Sequence, residues 1–326
     1  MKLLRPSEFA DLKEIEHERK AGASRGTLKR ASAMTDHVGP TELLLDAVQL
    51  AKKKSELSVP DMLIRGALLG AFLGYATSLA FLVTSQGLPP IVGAILFPVG
   101  FAILALLGLE LVTGNFALLP AGPLAGTVRF TKLLRNWGWV YLGNLIGSLL
   151  YAGLFYLAIT NWRTGNGGAV ADLLKQAAQR KTPGFAALRG SGWALALVKG
   201  ILCNWMVTIG AVLSLVLRST VGKISAMWLP IMTFFALGFE HSVVNLYILP
   251  SGMMLGAPIS VRQILFWNLL PVTLGNLIAG ALFTGMALYA TYASKPAPTV
   301  NPADLSIATQ VKEPVALAAA AGARQI

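Results

Sequence analysis

Glu240 and His241 stand side by side in the run Gly238-Phe239-Glu240-His241-Ser242-Val243-Val244-Asn245, and the nearest other charges in the chain are Lys223 and Arg262. Ionisable groups so deep in an apolar stretch are expensive to hold in hydrocarbon and by default face a cavity. Imidazole is the side chain that titrates nearest neutrality, so His241 can relay a proton or supply a hydrogen bond and local positive potential. A lone buried histidine is more often structural, but here a second polar interruption supports a functional reading. It runs Leu109-Glu110-Leu111-Val112-Thr113-Gly114-Asn115-Phe116, with Thr113 near its centre. The Thr113 hydroxyl can donate a hydrogen bond towards a shared centre. Other chemistry finds no support. The three histidines and one cysteine form no metal-spaced cluster, and no nucleophile-elbow motif surrounds Ser242. Cys203 reads as a small buried hydrophobe. No enzyme activity, cofactor or metal is expected.

The elements around these residues are membrane helices. Of the 326 residues, 55% are hydrophobic and 13% charged, and the mean hydropathy is +0.63. A soluble surface needs more charge than that. A bilayer core of about 30 Å needs about 20 apolar residues per helix. Six stretches qualify: roughly 62–84, 89–117, 137–160, 193–217, 227–249 and 264–291. They are too long and too continuously apolar for barrel strands, which alternate over short segments. The hydrophilic stretch from Met1 to Pro40 contains no apolar segment of the kind a cleavable signal peptide requires.

The formal net charge of +12 suits neither a nucleic-acid face nor a soluble domain, because the cations are not clustered on one soluble surface. On the six-helix reading, 20 of the 27 Lys and Arg residues fall on one side of the membrane, six on the other, and Lys199 lies within a helix. The positive-inside rule then places both termini in the cytoplasm, across the inner membrane. Arg163, Lys175, Arg180, Lys181 and Arg189 share one outer loop against that rule. The loop is long enough to translocate regardless of charge; alternatively, it forms a positive vestibule that concentrates anions.

Residues 1–38 form a polar segment with a short helix expected around Glu8–Lys20, and 294–326 form a loose tail rich in Ala and Pro. The membrane domain spans 39–293. It opens with an expected interfacial helix over 41–54, capped by Thr41, with Leu43, Leu44, Ala47, Leu50 and Ala51 on one face. Lys52, Lys53 and Lys54 close it against anionic headgroups.

Within the domain the chain repeats itself. Leu142-Gly143-Asn144-Leu145-Ile146 returns as Leu274-Gly275-Asn276-Leu277-Ile278, and Ile64-Arg65-Gly66 as Val198-Lys199-Gly200, at nearly the same offset. Two halves of three crossings each must be inverted relative to one another. Such repeats place the site near the midplane, on interrupted helices in matching positions. Those positions are the second and fifth spans, where Thr113 and His241 lie, separated by close to the repeat offset. Gly66, Gly70 and Gly74 recur every four residues, as do Gly143 and Gly147, which lets helix backbones approach closely.

Four stretches, taken together, resemble the formate/nitrite transporter family: Glu110-Leu111-Val112-Thr113-Gly114-Asn115, Gly200-Ile201-Leu202-Cys203-Asn204-Trp205-Met206-Val207, Phe239-Glu240-His241-Ser242-Val243-Val244-Asn245 and Pro271-Val272-Thr273-Leu274-Gly275-Asn276. The resemblance covers about 40–292. It implies an aquaporin-like helical protomer with broken second and fifth helices, a homopentamer with one pore per subunit, and passage of small anions, formate first and nitrite second. A dry apolar pore must either stabilise such an anion locally or hand it a proton, so pH-dependent passage is expected, with protons as partners in the second case. Hydrosulfide and lactate are alternative substrates within the same family. By the same resemblance Thr113 and His241 are pore residues, with Asn204, Glu240 and Asn245 around the histidine. Phe97, Phe101, Phe234 and Leu111 fall at constrictions. The family's vestibule lysine, placed by its usual interval before the asparagine that matches Asn204, would stand at Leu188. Either Arg189 substitutes for it, or Lys181 reaches in through a local insertion. An aquaporin-type channel for neutral solutes is the rival reading. Its Asn-Pro-Ala triplet occurs here only at Asn301-Pro302-Ala303, in the tail.

Overall fold

A computed structural model describes residues 36–293. The expected helix around Glu8–Lys20, the rest of the N-terminal segment through residue 35 and the 294–326 tail, with its Asn-Pro-Ala triplet, lie outside the described residues. The described chain is all α, apart from one isolated bridge between His37 and Leu217. We number its main helices α1 Pro40–Ser55, α2 Val59–Ser85, α3 Pro90–Leu107, α4 Val112–Leu118, α5 Phe130–Ile159, α6 Gly168–Lys181, α7 Arg189–Val216, α8 Thr220–Ala236, α9 Ser242–Met254 and α10 Val261–Tyr292.

Helices α2, α3, α5, α7 and α10 are long and apolar enough to cross a membrane. The expected span 89–117 is divided into α3 and α4, and the expected span 227–249 into α8 and α9. Each division has the same local cause. Gly108 and Gly238 adopt φ of 61° and 65°, left-handed conformations that a residue without a Cβ reaches at little cost and that commonly end helices. Three non-helical residues follow each glycine before the next half-helix begins at Val112 or Ser242. Leucines such as Leu106, Leu107, Leu150, Leu154 and Leu229 remain exposed on the outside, as expected of a surface whose solvent is lipid.

Backbone approach fixes how the long helices pack. A methyl group at Gly66 would stand 3.1 Å from the Val140 carbonyl oxygen, and one at Gly143 2.8 Å from that of Leu63, so α2 lies directly on α5. In the second half a methyl at Gly200 would stand 2.8 Å from the Val272 carbonyl oxygen, and one at Gly275 would overlap that of Leu197. The contact of α2 with α5 is thus repeated by α7 with α10, Gly200 standing for Gly66 and Gly275 for Gly143.

Helix α1 differs from the sequence expectation. Gly39, not Thr41, occupies its N-cap, with Pro40 opening the first turn. Its apolar face is covered by protein: Leu44, Leu45 and Val48 pack with Ala121, Ala125 and Tyr289. Arg218 holds it from the other side through Glu42 and Asp46. Helix α10 begins with a capping box between Ser260 and Gln263 and widens into π-helix over Leu265–Leu269 and Ala279–Met286. Such widening shifts side-chain register within a helix and recurs at functional sites.

Candidate functional site

The half-helices α4 and α9 both start in the interior, and the same set of bonds anchors each break. In the first half, Asn144 of α5 donates to the carbonyls of Gly66 at 2.9 Å and Glu110 at 2.8 Å, while its Oδ1 accepts the Val112 amide at 3.1 Å. In the second, Asn276 of α10 donates to Gly200 at 2.8 Å and Glu240 at 3.0 Å, and accepts the Ser242 amide at 2.9 Å. Each asparagine thus caps the first amide of a half-helix and ties the non-helical residues to a long span, meeting the requirement that buried backbone groups be paired.

A second set surrounds the two glutamates. Lys54 Nζ lies 2.7 Å from Glu110 Oε1, and Lys181 Nζ 2.7 Å from Glu240 Oε1. Asn115 donates to Glu110 Oε2 at 2.7 Å and to Asn136 Oδ1 at 2.9 Å; Asn245 donates to Glu240 Oε2 at 2.7 Å and to Asn268 Oδ1 at 2.8 Å. Asn136 in turn donates to the Lys54 carbonyl at 3.0 Å, and Asn268 to the Lys181 carbonyl at 3.1 Å. Both carboxylates are 2% exposed at residue level and each has a cation and an amide, the condition under which buried charge is tolerated.

These bonds set the register between the halves. Glu110 matches Glu240 and Asn115 matches Asn245 at one common offset, so the counterpart of His241 is Leu111 rather than Thr113. Leu111 is the N-cap of α4, with φ −117° and ψ 117°; His241 is the N-cap of α9, with φ −108° and ψ 121°. Thr113 stands two positions further along its half-helix. It nevertheless meets the histidine: Thr113 Oγ1 and His241 Nε2 are 2.9 Å apart. His241 Nδ1 accepts the Val244 amide at 3.2 Å, so the proton of the neutral ring belongs on Nε2 and is donated to Thr113 Oγ1. The threonine hydroxyl hydrogen is then free for a further acceptor.

Asn204 joins this centre from α7. Its amide donates to the Thr113 carbonyl at 3.0 Å and the Asn276 carbonyl at 2.7 Å, and its buried Oδ1 has no donor among the described residues. Glu240 turns away from the centre towards Lys181, and Asn245 goes with it. The pore set named from sequence is therefore two groups: Thr113, His241 and Asn204 meet at the half-helix starts, whereas Glu240 and Asn245 belong to the lysine-bonded scaffold beside them.

The aromatic residues form one cluster. Phe97, Phe101 and Phe234 stand with ring centroids 5.8 to 6.2 Å apart, and all three are buried. Phe101 meets the imidazole edge-on at 6.0 Å and Phe234 stacks on it at 5.8 Å. A cavity of about 280 Å³ adjoins this cluster, walled by Arg180, Lys181, Phe234, Phe235, Phe239 and His241 among others. Of the five cations in that loop, Arg180 and Lys181 line the cavity, Lys175 pairs with Asp172, and Arg163 and Arg189 are not among its walls. Arg189 opens α7 exposed, with φ of 53°. A short helix, Pro183–Ala187, fills the added length between Lys181 and α7.

Sequence reasoning missed Lys54, Glu110, Asn136 and Asn268 as site residues and treated Asn144 and Asn276 only as repeat markers. The signal was present: both interruptions carry a glutamate followed, after the same short interval, by an asparagine.

Comparison with known proteins agrees with this architecture. The pattern described as "Formate/nitrite transporter" matches residues 41–290. A probable formate transporter of Methanothermobacter thermautotrophicus is 32% identical over 259 residues, covering 74% of this chain and 93% of that protein. The formate channel FocA of Escherichia coli strain K12 is 31% identical over 241 residues, covering 68% and 81%. Among solved structures, an FNT family ion channel superposes with a TM-score of 0.65 at 25% identity, covering 78% of this chain and all of that one. A pentameric formate channel with formate bound shares the fold at a TM-score of 0.60 and 24% identity, covering 72% and 98%.

Proposed function

The chain belongs to the formate/nitrite transporter family and is a multi-pass membrane protein; from that premise we propose that it conducts small monovalent anions of weak acids, formate first and nitrite second, through one pore per subunit of a homopentamer. Both termini face the cytoplasm of the inner membrane, a reading the cation count supports, and the two three-span halves are inverted. The cavity beside Arg180 and Lys181 is then the outer vestibule.

The observation that carries this reading is the bond between Thr113 and His241, at the point where two interrupted helices begin and beside an aromatic cluster. An unpaired carboxylate cannot enter a dry apolar passage without a compensating group. Phe97, Phe101 and Phe234 strip hydrating water from whatever passes. The Thr113 hydroxyl, with its hydrogen uncommitted, donates to an arriving oxygen, and the His241 Nε2–H can follow it. The amide end of α9 adds favourable potential for negative charge. Asn204 Oδ1 supplies an acceptor for a proton-bearing partner, either water or the neutral acid. Passage of the acid form carries a proton with the anion, which makes flux depend on pH.

The experiment is uptake into proteoliposomes of formate, nitrite and chloride, run beside a swelling assay with glycerol. Saturable formate and nitrite uptake that rises as the external pH falls is expected. Glycerol-driven swelling without anion uptake would instead establish a neutral-solute channel.

A further inference from the structure

The last turn of α6 carries two cations, Arg180 and Lys181, and only one has a carboxylate. Lys181 is bound to Glu240 at 2.7 Å. Seen from the cavity this pair is formally neutral, and its field falls off faster than that of a single charge. Arg180 lines the same cavity and is exposed, and no ion pair or hydrogen bond holds its guanidinium among the described residues. The division recurs in the first half, at the end of α1: Lys54 is bound to Glu110, while Lys53 beside it is exposed. In each half, then, the sheltered cation belongs to the scaffold, and its exposed neighbour has no ion pair among the described residues.

An unpaired cation at the mouth of a cavity with apolar walls focuses its field inward and raises the local concentration of anions. Arginine also does this with shape. Its planar fork of N–H donors matches two coplanar oxygens on one atom, whereas a lysine ammonium acts as a point charge. We propose that Arg180 is the capture residue of this vestibule and that its guanidinium favours planar two-oxygen anions, the class to which formate and nitrite belong, over monatomic anions. The proposal rests on the reading of the chain as an anion channel. It separates capture, at Arg180, from the scaffold role of Lys181.

The test compares wild type, Arg180→Gln and Arg180→Lys in proteoliposomes. Because Arg180 is exposed and unbonded, both variants should match wild type in yield and oligomer mass. Initial formate uptake is measured against concentration at about 10 mM and about 150 mM salt, between which the Debye length falls from about 30 Å to about 8 Å. At low salt, Arg180→Gln is expected to raise the half-saturating formate concentration about fivefold with maximal flux retained, the size of effect one partly screened charge gives. At high salt the difference should shrink below about twofold. Arg180→Lys should restore the low-salt value but let chloride, exchanged for a bulky sulfonate at constant ionic strength, compete about threefold better than in wild type. A glutamine variant with wild-type half-saturation at low salt overturns the capture role while leaving the channel reading intact. A lysine variant with wild-type resistance to chloride overturns the preference for two-oxygen anions. Absence of anion uptake by the wild-type protein would overturn the channel reading, and this proposal with it.

Discussion

The Val244 amide donates to His241 Nδ1 at 3.2 Å, so the imidazole that faces Thr113 through one nitrogen closes the first turn of α9 through the other. The ring cannot take a second proton at Nδ1 without releasing that amide. Protonation of the histidine and integrity of the helix start are therefore coupled by geometry.

His241→Asn separates the two duties. Asparagine is among the best N-cap residues, so the variant should fold, assemble and keep α9 in place. It cannot titrate near neutrality. Formate uptake from about pH 5 to 8, the range around which a free histidine changes charge, should lose its pH dependence and its accompanying proton while flow down the anion gradient persists. A wild-type pH profile in the variant would reduce His241 to a helix cap and move the proton step to the substrate or to water.

Phe101 and Phe234 touch both the imidazole and each other, and Phe97 stands behind them. The three make one aromatic cluster beside the histidine, which itself lines the cavity together with Phe234. Phe101→Ala or Phe234→Ala should admit larger monocarboxylates and raise the leak of hydrated ions. A buried Phe→Ala change also costs about 3–5 kcal/mol of stability, so the size cutoff must be compared at equal amounts of folded pentamer. An unchanged cutoff and leak would locate the barrier elsewhere.

Lys181→Met strands the Glu240 carboxylate in a site that is 2% exposed. Removing one partner of a buried ion pair typically costs about 3–5 kcal/mol; with the lysine side chain 18% exposed, the lower end is expected. Thermal unfolding in detergent should show a clear fall for Lys181→Met and substantial recovery for Lys181→Met combined with Glu240→Gln. A double variant no more stable than the single would mean that the pair is not what holds this part of the fold.

Assembly provides a further check. Close helix packing at Gly66, Gly143, Gly200 and Gly275 is internal to the protomer, and the apolar leucines outside remain available to neighbours or lipid. Native mass measurement in mild detergent should give five copies. A stable monomer that still conducts formate would sink the pentameric reading.

Much of the fold was legible because hydrocarbon imposes long apolar runs and penalises charge, so the long apolar helices and two interruptions stand out in one dimension. The glycines that end α3 and α8 were visible too, as Gly108 and Gly238, each standing just ahead of its glutamate. The bonds at the site were less legible. Lys52, Lys53 and Lys54 read alike as headgroup cations, and only the packing of α1 against the bundle brings Lys54 to Glu110. Asn136 and Asn268 sit near helix starts with no local mark of their role; their partners are 21 and 23 residues away, on the half-helices. The match of Thr113 to His241 failed by two positions because it followed polarity rather than the anchoring glutamates.

The mirrored bonds of Asn144 with Asn276, and of Lys54–Glu110 with Lys181–Glu240, carry a historical consequence. An ancestor equivalent to one half that paired with a second copy of itself would make all of these contacts twice without further change. It would also place the same residue at both half-helix caps, two leucines or two histidines. One of each, Leu111 opposite His241, requires two separately mutable copies of the unit. The scaffold could predate the fusion of the halves, but a centre with a single titratable group could arise only after duplication had let the copies diverge.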